Sequence, residues 1–531
     1  MASRVGRSVL LGAAWALALA GPAPAQDSDG GAATAPLSAI DWLSDSLTTP
    51  SLITPAGPRQ NLPPDPNEPA VTSSASVDAI SVTPLGRPLP DAVGILPASV
   101  TGLAADLWGP ADPVDVARQI RGVSTNLPPA LLDLLYTLLL AELNPPEGGA
   151  GGSGSDIFLA RVDKLLELGA LEQADALLAR AGPENPEIFR RWFDVSLLLG
   201  TENQICEVLR ATPDLSPTFT ARVFCLARGG DWKAAVLTLG TGRALGFISA
   251  RDDALLARFL DPDLFEGAPP LPQPAHPSPL VFRLFEAIGQ PIPTSGLPLA
   301  FAQADLRANI GWKARIIAGE RLARTGAVTG NQLLGLYTEQ RAAASGGVWD
   351  RVMAVQALDH AIKARDAAAI SSAVREFWRQ IKAVEVEVPM AEIFGPALGQ
   401  VPLEGGAQTI ALELALLSDE YATVSTAQPM PDLAVALAVA RGRVKGLNGA
   451  TPREQAVLAG FRADGVPAGL ARLVDQGRIG EAVLQAMALF DIGATGNLAK
   501  LTEALALLRA LGLEDAARRA ALEFLLLERR G

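Results

Sequence analysis

From Asp156 onward, apolar residues recur at three- and four-residue intervals, and the runs are repeatedly stopped by one small pattern, a glycine with an alanine five places later. Gly169 precedes Ala174 in GALEQA, Gly230 precedes Ala235 in GDWKAA, Gly477 precedes Ala482 in GRIGEA, and Gly512 precedes Ala517 in GLEDAA. Glycine enters the left-handed conformation that ends a helix without a Cβ penalty. A small residue one turn into the next helix lets two backbones approach. A chain punctuated this way folds into helix pairs, so the expected class is all-α. The one strand-like alternation, VEVEV at 384–388, is short and stops at Pro389.

Gly477 and Gly512 are 35 residues apart, close to the repeat length of about 34 typical of helical hairpins. Over Asp156–Gly531 the sequence resembles the tetratricopeptide-like helical-repeat superfamily, and is similar to exported Gram-negative bacterial proteins with degenerate repeats of this kind. The resemblance implies an α-solenoid whose surface binds a protein or peptide. Trp232 in GDWKAAV, Trp312 in GWKARI and Trp349 in GVWDRVM each sit just inside a helix after a glycine-containing break. They are expected as core anchors between hairpins, the other reading being a ladder for stacking a ligand. Two Pro-rich stretches bend or divide the repeat domain across 267–296, because proline cannot occupy helix interiors.

Ahead of the repeats the composition changes. Residues 1–25 read as a secretory signal: Arg4 and Arg7, then the apolar run VLLGAAWALALA, then APA before Gln26. That run of 12 residues is shorter than the roughly 20 needed to span a bilayer, and no later segment reads as a membrane span. The expected location is the periplasm. Residues 26–113 are rich in Pro, Gly, Ser, Thr and Ala and read as a mostly disordered arm, interrupted by two islands, one of them VDAISVTPLGRPLPDAVGILPASVTGLAADLWG, whose apolar residues are too dense for a passive spacer. Within the arm, the other island, SAIDWLSDSL (38–47), puts Ile40, Leu43 and Leu47 on one helical face and also carries Trp42. These four residues form an expected docking motif, too short to fold alone. A short helical segment is expected over 114–143, a flexible Gly/Ser linker over 144–156, and the helical-repeat domain over 157–531.

Charge narrows the choice of partner. The formal net charge is −13, and removal of residues 1–25 makes it −15 by deleting two arginines. Neither nucleic acid nor an anionic membrane surface is then expected as the main partner. The two cysteines, Cys206 and Cys225, lie in helical patterns either side of the turn ATPDLSP. They form either a disulfide or a pair of packed thiols. His276 and His360, the only histidines, have no ligand-spaced neighbours, and phosphate-loop, dinucleotide and nucleophile-elbow patterns do not occur. Asp252, Asp253, Asp261, Asp263 and Glu266 read as helix-end charges. No catalytic residue, cofactor or metal is expected. The leading expectation is an exported scaffold for protein–protein interaction in envelope assembly or maintenance. The alternatives are a cell-wall glycan enzyme and a protective structural protein.

Overall fold

A computed structural model describes residues 89–148, 154–425 and 429–527. These residues are all-α, without a strand; their one β-bridge joins Leu96 to Ala141. After a single helical turn (Ala98–Thr101) come α1 (Pro113–Gly122), α2 (Pro129–Leu140), α3 (Asp156–Glu167), α4 (Leu171–Ala181), α5 (Pro186–Leu199) and α6 (Glu202–Ala211). Then follow α7 (Phe219–Arg228), α8 (Trp232–Ala244), α9 (Ala250–Leu260), α10 (Pro279–Ala287), α11 (Trp312–Ala323), α12 (Gly330–Thr338) and α13 (Val348–Ala364). The chain continues through α14 (Ala367–Lys382), α15 (Glu387–Leu398), α16 (Gly405–Leu416), α17 (Ala434–Ala440) and α18 (Pro452–Arg462). It ends with α19 (Ala471–Asp475), α20 (Ile479–Ala494), α21 (Leu498–Ala510) and α22 (Glu514–Leu526). None of these is long and apolar enough to cross a membrane.

The helix ends follow local chemistry. Side chains of Asp112, Asn185, Thr218, Asp231, Ser249, Ser278 and Asp366 accept the first free backbone N–H groups of the helices they precede. Thr329 with Gln332, and Thr451 with Glu454, form reciprocal capping boxes. At the other ends, Gly169, Gly230, Gly477 and Gly512 have φ between 73° and 83°. In each case the following residue donates its N–H five places back: Ala170 to Leu165, Asp231 to Leu226, Arg478 to Leu473 and Leu513 to Leu508, at 2.8–3.0 Å. Ala174, Ala235, Ala482 and Ala517 are completely buried in the helices that follow. Arg365 and Glu385 adopt the same left-handed turn without being glycine. Glu385 lies inside VEVEV, which is therefore a helix junction, with α15 beginning at Glu387.

Most helices pack on the one before and the one after, but the two ends of the described chain also meet. α22 lies against α2, and α20 against α1. This changes the expected organisation of the N-terminal part. The segment 114–143 is embedded in the main core: Ile120, Leu131, Leu135 and Leu139 are fully buried. Residues 89–113, assigned by composition to the arm, also belong to it. Trp108 is 2 % exposed and covers α20 at Gly480, where a Cβ would collide with the indole, while Gly480 donates its N–H to Leu107 O at 2.8 Å. These apolar residues pack one by one on existing helices, so no periodicity of their own announces them. The flanks of the Gly/Ser linker are pinned as well: Asn144 N donates to Ala105 O at 2.7 Å, Glu147 N to Gly109 O at 2.8 Å and Asp91 N to Gly154 O at 3.2 Å. Residues 1–88, with the signal, most of the arm and the 38–47 motif, lie outside the described residues, as do 149–153.

The apolar core forms two bodies. The larger runs from Val93 to Ala304 and resumes at Leu412–Phe524; the smaller takes Ala302–Leu417 together with Leu527. They part within the 3₁₀ segment Leu299–Leu306, just beyond the proline-rich stretch.

Candidate functional site

Two places combine chemistry with access: the seam where the chain ends meet, and the corner built by α6–α9. The seam is organised by charged side chains that the apolar pattern conceals. Arg161 on α3 is 2 % exposed and donates Nε to Leu139 O at 2.6 Å, Nη1 to Val93 O at 2.7 Å and Nη2 to Ala141 O at 3.0 Å. Burial lowers its pKa to about 10, against the pull of Asp91, so the guanidinium stays charged at neutral pH. Asp91 in turn accepts Phe158 N at 2.7 Å at the start of α3. One turn on, Lys164 donates to the carbonyls of Arg121 and Val123 at the end of α1, at 2.8 and 2.7 Å. Cations at helix C-termini satisfy carbonyls that have no intrahelical partner.

The acids work at the opposite helix ends. Pro128 and Pro129 carry no N–H, so Ala130 has the first free one of α2, and both carboxylate oxygens of Glu523 accept it at 3.1 Å. Glu481, 1 % exposed, accepts Gln119 Nε2 at 2.6 Å and Arg478 Nη2 at 2.8 Å, joining α1 to α20. Arg519 reaches Asp133 at 3.0 Å. Near that pair, burial and the like charges of Asp133 and Asp419 push Glu392 up to about 7, with Arg519 opposing. A cavity of about 450 Å³ opens beside the seam, lined by Pro128, Arg453, Phe490, Leu498, Phe524 and Leu527 among others. Its charged groups are already committed: Arg453 lies 4.2 Å over the Phe524 ring and donates to that residue's carbonyl, while Glu523 holds α2.

The corner differs. Cys206 on α6 and Cys225 on α7 form a disulfide with their Cα atoms 5.0 Å apart, both 2 % exposed. α8 follows, packing Ala235, Leu239 and Gly242 inward. Its other face carries Trp232, Val236 and Leu237, exposed by 47 %, 57 % and 72 %, and Leu245 beyond its end is 60 % exposed. A Cβ placed on Gly240 would meet nothing within 4 Å, so this face is open along its length. Lys233 and Arg243 are exposed there, Arg243 lying 3.5 Å from Asp253. The helix itself contains no acid.

The other sequence candidates are placed as follows. His276 and His360 are exposed. Asp252 accepts the Ser249 hydroxyl at 2.8 Å, and Asp261 accepts Leu264 N at 3.3 Å, both within local turns. Trp312 and Trp349 pack together, ring centres 5.0 Å apart, and Trp312 Nε1 donates to Leu336 O at 2.7 Å. Trp232 departs from the expected anchor role; its ring only edges Phe259, 6.3 Å away. Ile40, Trp42, Leu43 and Leu47 lie outside the described residues. Among the described residues, no group of three or more His, Cys, Asp or Glu is arranged to hold a metal.

The buried charges of the seam escaped the sequence reading, although one signal was present. Ile157, Arg161, Lys164 and Leu168 share one helical stripe, so two cations stand where an apolar face requires hydrocarbon. Compared with known proteins, the chain matches no family model, no curated protein and no solved structure.

Proposed function

We propose that this protein is an exported, periplasmic scaffold of the tetratricopeptide-like, α-solenoid kind that binds a protein or peptide partner in cell-envelope assembly or maintenance. The observation that carries this reading is α8, a helix apolar on two faces and covered on one. A contiguous exposed apolar patch with a charged rim is a common mark of a protein-binding surface. The Cys206–Cys225 bond supports the oxidising compartment, since disulfides persist chiefly outside the cytoplasm.

The test is in-cell crosslinking of the tagged full chain, followed by comparison with Leu237→Asp. Leu237 is 72 % exposed, so the substitution should change stability by no more than about 0.5 kcal/mol while removing the specific partner. A variant that captures the same proteins as the wild type would overturn the reading. So would release of fragments from peptidoglycan by the purified chain alone.

A further inference from the structure

At one corner the local charge runs against that of the whole chain. The chain carries 44 Lys and Arg against 57 Asp and Glu, yet from Arg441 to Arg462 it holds five cations and one acid, Glu454. Glu454 is occupied in the capping box with Thr451. The stretch includes the glycine-rich loop RGRVKGLNGA (441–450), which joins α17 to α18.

Helix packing brings more cations to this loop. α17 and α18 lie against each other and against α22, and α21 packs along α18. Arg462, at the end of α18, donates Nη2 to Val444 O at 3.1 Å and to Leu447 O. Arg518 on α22 lies beside Gly442, where a Cβ would meet its Nη2 at 2.5 Å. Arg509 on α21 donates Nη1 to Phe461 O at 2.7 Å, and it shares Glu514 with Arg518, at 2.9 and 2.8 Å. Asp464, exposed two residues beyond Arg462, and Asp515, which accepts the Tyr421 hydroxyl at 2.5 Å, add two negative charges.

The corner keeps donors to spare. No nitrogen of Arg462, Arg509 or Arg518 is both buried and without a partner, so their remaining N–H groups reach solvent. Arg443 and Lys445 are exposed and pair with no carboxylate among the described residues. The backbone N–H groups from Lys445 to Asn448 likewise meet no acceptor among the described residues. Guanidinium forks and free loop N–H groups are the donors that carboxylates accept.

We propose that this basic corner binds an acidic protein segment, extended and about five residues long. The run from Arg441 to Lys445 spans at most about 14 Å, which such a segment matches. Larger polyanions fit less well. A nucleic-acid duplex or a bilayer would extend past the corner by more than the screening length of about 8 Å and meet the acidic remainder of the chain. No large apolar residue from Arg441 to Arg462 is exposed, so the corner has nothing to insert into lipid. It stands on other helices than α8 and does not depend on the reading of that face.

The experiment is fluorescence anisotropy of a labelled hexaglutamate peptide titrated with the full chain. The peptide should bind at about 50 mM salt, and its affinity should fall about tenfold at about 200 mM. Arg443→Glu with Lys445→Glu should weaken binding about tenfold or more with an unchanged melting curve, and Arg443→Gln with Lys445→Gln about threefold. Lys313→Glu with Arg341→Glu reverses two exposed cations of the smaller core body and should leave the affinity within about twofold. Absence of binding, or equal losses in the two reversals, would overturn the proposal. So would tighter binding of a single-stranded oligonucleotide or of phosphatidylglycerol vesicles, which would assign the corner to phosphate.

Discussion

α2 and α8 are alike in sequence and opposite in placement. PALLDLLYTLLL and WKAAVLTLGTGRA are each apolar on more than one side. α2 is enclosed: α3 and α22 pack against it, Arg161 and Glu523 hold its two ends, and Tyr136 lies over Gly326. α8 has α7 and α9 on its inner face and nothing described on its outer one. A helix apolar all round is ordinarily a buried helix. The pair shows that the pattern reports a demand for cover, and that the fold meets it for one helix and leaves it unmet for the other.

The largest expected effect separates the two directly. Leu135→Asp in α2 places a charge where the side chain is completely buried and should cost about 5 kcal/mol or abolish folding, read by urea titration. The matching Leu237→Asp in α8 is expected within about 0.5 kcal/mol of wild type. Comparable losses at both positions would erase the distinction.

The disulfide comes next. Cys206→Ser with Cys225→Ser opens a loop whose ends are 19 residues apart and should cost about 3 kcal/mol. Amide exchange should rise in α6–α9 and stay level in α1–α2. Exchange that rises equally in both would mean that the corner and the seam unfold as one unit.

Acidity should act on the seam. Glu392 titrates near 7 when folded and near its ordinary value when unfolded, so between about pH 4.5 and 7 the folded state keeps a proton that the unfolded chain has lost. Stability therefore falls as pH rises through that window and levels off above it. The effect should be about 2 kcal/mol after discounting for solvent around a half-buried carboxyl. Glu392→Gln should flatten the profile; an unchanged profile would assign the dependence elsewhere, with Asp194, raised to about 7 by burial, as the first alternative.

The smallest effect concerns a helix stop away from both regions. Arg365, exposed and left-handed with φ 54°, should gain about 0.5 kcal/mol of stability on conversion to glycine, measured by the same titration. A loss would mean that its side chain contributes more than the backbone strain takes away.

Much of this fold was legible. The glycine stops predicted where helices end, because a left-handed residue followed by a 6→1 hydrogen bond is a local requirement. The same turn at Arg365 and Glu385 was not legible, since neither residue advertises it. The closure of α1 and α2 on α20–α22 was hidden for a different reason. It is built from single contacts between residues about 360 to 390 apart, such as Gln119 with Glu481 and Ala130 with Glu523, and no periodicity encodes those. At the candidate site, Trp232 was legible only as an expected core anchor; that α8 leaves it exposed beside Val236 and Leu237 depended on tertiary packing alone.

The hydrogen bond from Ala130 to Glu523 also carries a temporal consequence. Its two residues are 393 positions apart, so this cover of α2 is not available until Glu523 has been made. A chain emerging from its amino end would leave PALLDLLYTLLL without its α22 cover until Glu514–Leu526 has followed it. Loss of α22 would thus uncover α2, near the beginning of the described fold.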